Sequence, residues 1–195
     1  MNRRDAIKKT AFLMGGTISA AAIVGILNGC QPEPKGLSWE PRFFNLSQAD
    51  TVATIAERII PRTDSPGAKD VGVPEFIDIM LKDNYDKDDQ KVFLDGLTKF
   101  EADAKSAYGQ PFVQLDVEEQ NALLTKYDEA AYAIINKEDY DSDINRPFFN
   151  MIKELTLLGF FTSEVGVSEV LQYDPLPQTY EGCVPLAEVG KTWAT

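Results

Sequence analysis

Apolar residues recur at helical spacing in five segments of this chain, and no stretch alternates convincingly between apolar and polar residues. The segments begin near Ser47, Pro74, Asp88, Asp116 and Pro147. Because a helix with an apolar stripe has to bury that stripe against another element, this pattern predicts an all-α fold. We expect a small helical bundle of about five helices, with somewhat long connections.

Capping and turn residues predict where these helices begin and end. Ser47 is expected to cap the first helix, and Pro61 to stop it. Asp116 and Glu119 form a capping box for the fourth helix, and Gly166 is expected to end the fifth. The apolar residues assigned to the core sides of the five helices are Val52, Ile55, Ala56, Ile59 and Ile60; Phe76, Ile77, Met80 and Leu81; Val92, Phe93, Gly96, Leu97, Phe100 and Ala104; Leu123, Leu124, Tyr127, Ala131 and Ile134; and Phe148, Phe149, Ile152, Leu155 and Phe160.

The pattern changes from Val167 onward, where aromatic residues are interspersed with prolines and glycine. These breakers exclude a regular helix, so we expect an extended C-terminal tail. Large apolar side chains on such a tail pack either against the chain's own bundle or against a partner protein. The candidate partner-interface residues are Tyr173, Tyr180, Cys183 and Trp193.

Composition excludes several kinds of function. The chain has no histidine, which removes Ser-His-Asp triads, most catalytic zinc sites and His-ligated haem. Its two cysteines, Cys30 and Cys183, are too few to hold an iron–sulfur cluster. From Cys30 onward 15 basic residues face 30 acidic ones, a balance of −15. Such a surface disfavours nucleic acid and anionic lipid as partners, and it fits either solubility or cation binding.

The N-terminus has the order of a signal peptide: a basic head, an uncharged stretch from Ala11 to Leu27, and small residues before Cys30. A retained transmembrane anchor is the alternative, although 17 residues rise only about 25 Å as a helix against a hydrocarbon core of about 30 Å. We expect a signal peptide over residues 1–29, a lipidated cysteine and tether over 30–40, and one helical domain over 41–195.

Two short motifs resemble export signals. Leu27-Asn28-Gly29-Cys30 is similar to the bacterial lipobox, which implies that Cys30 carries the lipid and anchors an exported protein at the periplasmic side of a membrane. The residues around Arg3 and Arg4 resemble the twin-arginine export motif, with Ala6 where phenylalanine is usual. Sec export remains the other route.

Three segments together resemble the gluconate 2-dehydrogenase subunit 3 family. They are Ile59-Ile60-Pro61-Arg62-Thr63-Asp64-Ser65-Pro66-Gly67-Ala68, Leu155-Thr156-Leu157-Leu158-Gly159-Phe160-Phe161-Thr162-Ser163-Glu164-Val165-Gly166, and Tyr180-Glu181-Gly182-Cys183-Val184-Pro185-Leu186. Pro177-Gln178 departs from the Pro-Gly expected there. The resemblance implies a non-catalytic accessory subunit of a membrane-associated gluconate or sugar dehydrogenase. Such a subunit would support the export, maturation and membrane attachment of the flavoprotein subunit. Its partners would be an FAD-containing flavoprotein of the glucose-methanol-choline type and, in some complexes, a cytochrome c with haem.

No catalytic, cofactor-binding or metal-binding residue is therefore expected in this chain. Thr63, Asp64 and Ser65 are interpreted as turn residues. The acids Asp83, Asp86, Asp88 and Asp89 lack the glycine and closing glutamate of a calcium loop. Cys183 has two open interpretations: a buried structural thiol, or a residue near the flavoprotein's cofactor. The competing functions are a free-standing lipoprotein that binds a small ligand and, less consistent with the composition, an enzyme.

Overall fold

The computed structural model describes residues 39–141, 146–173 and 183–194. The predicted signal peptide, Arg3, Arg4, Cys30 and Tyr180 lie outside these residues. These described ranges contain six α-helices: α1 (Leu46–Ile59), α2 (Val73–Asp83), α3 (Lys87–Tyr108), α4 (Val117–Ile135), α5 (Phe148–Phe161) and the short α6 (Leu186–Val189). A 3-10 turn spans Phe112–Gln114, and a π-helical turn spans Gly166–Val170. The all-α prediction is confirmed, since the described ranges contain no strand and only one isolated bridge.

Helix α5 is the centre of the bundle and contacts α1, α2, α3 and α4. A helix surrounded on several sides has to be apolar on several sides, and α5 is the most apolar of the five long helices. The side chains and glycine that it buries are Phe148, Phe149, Met151, Ile152, Leu155, Thr156, Gly159 and Phe160.

Aromatic rings contact one another in one part of the core. Phe93 of α3 lies between Phe44 and Phe148, with ring centroids 5.8 and 5.1 Å away. Phe100 packs edge-on against Phe112 at 4.8 Å and lies 6.2 Å from Phe148. The edge-on contacts of Phe93 with Phe148 and of Phe100 with Phe112 place the positive edge of one ring against the negative face of the next, which adds to the hydrophobic stabilisation.

The segment before α1 is held in place by a buried carboxylate. Asp78 of α2 accepts backbone hydrogen bonds from Arg42, Phe43 and Phe44, at 2.7, 3.0 and 2.9 Å. Three donors to one carboxylate satisfy groups that would otherwise be buried without a partner. Asp78 therefore holds the backbone of residues 42–44 against α2.

Several predicted helix ends are right and two are wrong. The Asp116–Glu119 capping box of α4 is confirmed. Ser47 does not cap α1, because Asn45 does: its side chain accepts from the Gln48 amide at 2.9 Å, while the Gln48 side chain accepts from the Asn45 amide at 3.0 Å. Helix α5 ends at Phe161 rather than Gly166, and Gly166 begins the π-helical turn instead.

One predicted core residue faces solvent. Val92 is 43% exposed, because the inward positions of α3 are taken by its neighbour Phe93 and by residues that repeat at helical spacing from it. Those residues are Leu97, Phe100 and Ala104.

Candidate partner-docking surface

The outward face of α5 changes character halfway along the helix. Its first half carries Asn150, Lys153 and Glu154, and these polar side chains are satisfied within the chain. Lys153 pairs with Asp128 at 2.6 Å, and Glu154 accepts from Asn150 at 2.7 Å and pairs with Arg146. This half of the face is therefore an ordinary polar surface.

The second half of the same face is apolar and uncovered. Leu157, Leu158 and Phe161 continue the positions of Asn150 and Glu154 at helical spacing, and they are 38%, 47% and 39% exposed. We call these three residues the α5 ridge. Sequence analysis missed the ridge as a surface, although the signal was present: all three lie outside the set of α5 residues assigned to the core.

Behind the ridge, Gly159 lets α2 approach α5 closely. A β-carbon on Gly159 would lie 2.6 Å from Cδ1 of Phe76, closer than packed atoms allow. The ridge therefore lies on a helix, α5, that packs closely against α2.

The turn after α5 is shaped by Ser163 and Gly166. The Ser163 hydroxyl donates to the Phe160 carbonyl at 2.7 Å and accepts from the Gly166 amide at 3.0 Å. A β-carbon on Gly166 would lie 2.0 Å from the Phe160 carbonyl oxygen, so only glycine fits. Packing and turn geometry thus account for the small and polar residues of this segment, whereas they leave the ridge unexplained.

The C-terminal segment returns to the end of the π-helical turn. Gln172 pairs with Trp193 as an isolated parallel bridge, in which the Gln172 amide donates to Thr192 at 2.7 Å and the Ala194 amide donates to Gln172 at 2.8 Å. Lys191 adds a hydrogen bond from its ammonium group to the Glu169 carbonyl. Residues 191–194 therefore lie beside the end of the π-helical turn. The tail also contains the short helix α6, so the expectation that no regular helix forms there is wrong.

This return brings two predicted interface residues together. Tyr173 follows Gln172 directly, and Trp193 is the partner of Gln172 in the bridge. Their side chains are 57% and 48% exposed, so the described bundle does not bury them. Cys183 is an exposed free thiol, and its interpretation as a buried structural cysteine is therefore wrong.

The loop between α1 and α2 is held by internal hydrogen bonds although much of it is exposed. The Arg62 guanidinium donates to Asp70, with Nε 2.6 Å from Oδ2, and Asp70 also accepts from the Gly67 amide at 2.9 Å. Arg62, then the Gly67 amide, lowers the pKa of Asp70. Thr63 and Asp64 are exposed at the tip of this loop.

Among the acids weighed as calcium ligands, Asp86 has a structural role. Asp86 caps α3 by accepting from the amides of Asp88 and Asp89, at 3.0 and 2.9 Å. Over the described ranges, no three His, Cys, Asp or Glu residues are grouped so that they could hold a metal ion. Within the same ranges, no helix has the length and apolar character needed to cross a membrane.

A small all-α bundle with uncovered apolar side chains on its central helix and at the base of its tail is typical of a subunit that contacts another protein. The family model of gluconate 2-dehydrogenase subunit 3 matches residues 47–177, more than half of the chain. The chain therefore belongs to the gluconate 2-dehydrogenase subunit 3 family, and the suspected family is confirmed. No curated protein and no solved structure matches it.

Proposed function

We propose that this chain is the non-catalytic accessory subunit of a membrane-associated, FAD-dependent dehydrogenase that oxidises gluconate or a related sugar. Membership of the subunit 3 family is the observation that carries the proposal, because the family takes its name from subunit 3 of gluconate 2-dehydrogenase. FAD is held by a larger flavoprotein partner of the glucose-methanol-choline type. A cytochrome c subunit with haem completes the electron path in complexes that contain one.

The composition supports a binding role over a chemical one. With no histidine, the chain lacks the side chain whose pKa best suits proton transfer near neutral pH. The exposed aromatic pair Tyr173 and Trp193 suits an interface, since each ring combines an apolar body with a hydrogen-bonding group. Together with Tyr180 and Cys183, they form the proposed interface of the tail.

The N-terminal motifs support a second part of the role: export and attachment. Arg3 and Arg4 direct the folded chain, with its flavoprotein bound, through the twin-arginine route. Lipid on Cys30 then holds the complex at the periplasmic side of the membrane, because more than one acyl chain makes such an anchor stable.

Deletion of the gene for this chain tests the proposal. We expect the flavoprotein subunit to stay in the cytoplasm and the membranes to lose gluconate- or sugar-dependent quinone reduction. Restoring the wild-type chain recovers both, whereas Arg3→Lys with Arg4→Lys leaves both chains inside the cell. Cys30→Ala exports the complex but releases it from the membrane. Unchanged export of the flavoprotein in the deletion strain contradicts the proposal.

A further inference from the structure

The α5 ridge is the apolar surface that the fold leaves unexplained. Leu157, Leu158 and Phe161 share one helical face, and each exposes more than a third of its side chain. The same face is polar and internally paired one turn earlier, at Asn150 and Glu154. Solvated helix faces are normally polar along their whole length, so the change at Leu157 indicates a covered surface.

The end of the ridge is electrically negative. The last turn of α5 contains no basic residue that could compensate the partial negative charge at the helix C-terminus. Glu164 and Glu169 follow, both exposed, and neither carboxylate takes part in a salt bridge among the described residues. The Lys191 ammonium, which bonds to the Glu169 carbonyl, offsets part of the charge at Glu169, so the negative edge is centred on Glu164. A partner complementary to this surface has an apolar groove, which receives the ridge, next to lysine or arginine residues, which face the negative edge.

Charge also distinguishes between the partners that could cover the ridge: a second copy of the chain, an anionic bilayer or another protein. A second copy would bring two chains of net charge −12, or −15 each after removal of the residues before Cys30, into contact through negative ends. An anionic bilayer meets the same repulsion. A protein partner with a basic rim gains attraction where the other two are repelled.

We propose that the α5 ridge docks into an apolar groove of the dehydrogenase's flavoprotein subunit, with basic residues of that subunit facing Glu164 and Glu169. This inference rests on the proposed function, because it takes its partner from there. It adds a binding surface on the bundle to the tail residues Tyr173 and Trp193.

Exchange of subunits in the purified native complex tests the ridge. We measure how fast labelled wild-type chain replaces unlabelled chain bound to the flavoprotein. Leu157→Asn with Leu158→Asn should exchange on the order of tenfold faster or more, since truncated interface anchors mainly raise dissociation rates. Phe161 is left in place because its ring packs on Phe160 at 5.2 Å, and its loss could disturb the fold. The matched control is Leu46→Asn with Val117→Asn, two exposed apolar residues on other helices, with less than about twofold change expected.

The association rate with the flavoprotein tests the role of the negative edge. Glu164→Lys should slow association with the flavoprotein, and added salt should slow wild-type association too, because opposite charges steer the encounter. Glu129→Lys, an exposed acid on α4, is the control with little effect.

The outcomes separate this inference from the proposed function. If the wild-type chain retains no flavoprotein, the proposed function fails. If it retains the flavoprotein while the Leu157/Leu158 variant exchanges at the wild-type rate, the ridge inference alone is wrong. It is also wrong if the variant changes only self-association or binding to anionic vesicles, or if Glu164→Lys associates faster.

Discussion

At the scale of single residues, the structure explains why a carboxylate is buried without a cation beside it. Asp78 is a structural acceptor for the backbone of residues 42–44. Nothing in the local sequence around Asp78 indicates this role, because its three donors lie 34 to 36 residues away along the chain. Long-range partners of this kind follow from packing, which periodicity does not specify.

Asp78→Ala should lower the free energy of unfolding by about 2–4 kcal/mol, because it leaves backbone donors unsatisfied in and near the core. Asp78→Asn should cost less, since an amide oxygen still accepts one of the bonds. Urea unfolding measures both. Asp95→Ala, an exposed acid on α3, is the control and should change stability by less than about 0.5 kcal/mol. Equal effects of Asp78→Ala and Asp95→Ala would show that the acceptor role is wrong.

Gly159 gives a second prediction at this scale. Gly159→Ala places a methyl group 2.6 Å from the Phe76 ring, so we expect a loss of about 1–3 kcal/mol in unfolding free energy. Phe76→Leu in the same chain should recover part of the loss, because the smaller side chain makes room. If the double variant shows the simple sum of the two single losses, the close approach of α2 and α5 is not what restricts residue 159.

At the scale of helices, α3 and α4 are joined by a hydrogen bond from Tyr127 to Asp103 at 2.7 Å. The Tyr127 hydroxyl, followed by Lys99, holds the pKa of Asp103 below its usual value. Burial, followed by the bond to Asp103, raises the pKa of Tyr127. The Asp103 carboxylate therefore stabilises the fold above the usual carboxyl pKa near 4, and this contribution is lost as pH falls through the lowered folded value.

Tyr127→Phe should lower the unfolding free energy by about 0.5–1 kcal/mol at pH 7, a modest loss because Asp103 is partly exposed. The difference from wild type should shrink as pH falls through the lowered folded pKa of Asp103, below which the carboxyl is protonated in both states. Thermal unfolding at pH 7 and at an acid pH below that folded value measures it. Tyr132→Phe, on an exposed tyrosine of α4, is the control. A loss that is the same at both pH values contradicts a role for the charged carboxylate.

The positions of the five long helices were predictable from this sequence, whereas the residues that each helix buries were only partly predictable. Periodicity located all five long helices because each has to bury an apolar stripe. Two nearby polar residues, Asn45 and Ser47, competed for the α1 cap, and local sequence favoured the wrong one. The exposure of Val92 and of the α5 ridge depends on which neighbours cover each face. The bridge from Gln172 to Trp193 joins residues far apart in sequence, so no local signal predicted it.

At the scale of the whole molecule, the chain is a helical member of the gluconate 2-dehydrogenase subunit 3 family, and its binding of a redox protein is our proposal. Its family membership is shown, and the all-α bundle is shown with it. The signal peptide, the twin-arginine route and lipidation of Cys30 remain predictions, as do the interface roles of Tyr173, Tyr180, Cys183 and Trp193. The N-terminal and tail predictions depend on short motifs, whereas the bundle depends on periodicity along the whole domain.

Purification of the tagged chain from its own detergent-solubilised membranes tests whether it binds a flavoprotein and leaves the chemistry to that partner, with flavin content and gluconate or sugar oxidation measured in the eluate. We expect a larger flavin-containing chain in a fixed ratio to this one. We also expect oxidation to follow the larger chain when the two are separated. A homogeneous preparation of this chain alone that holds flavin or oxidises the substrate would contradict the proposal.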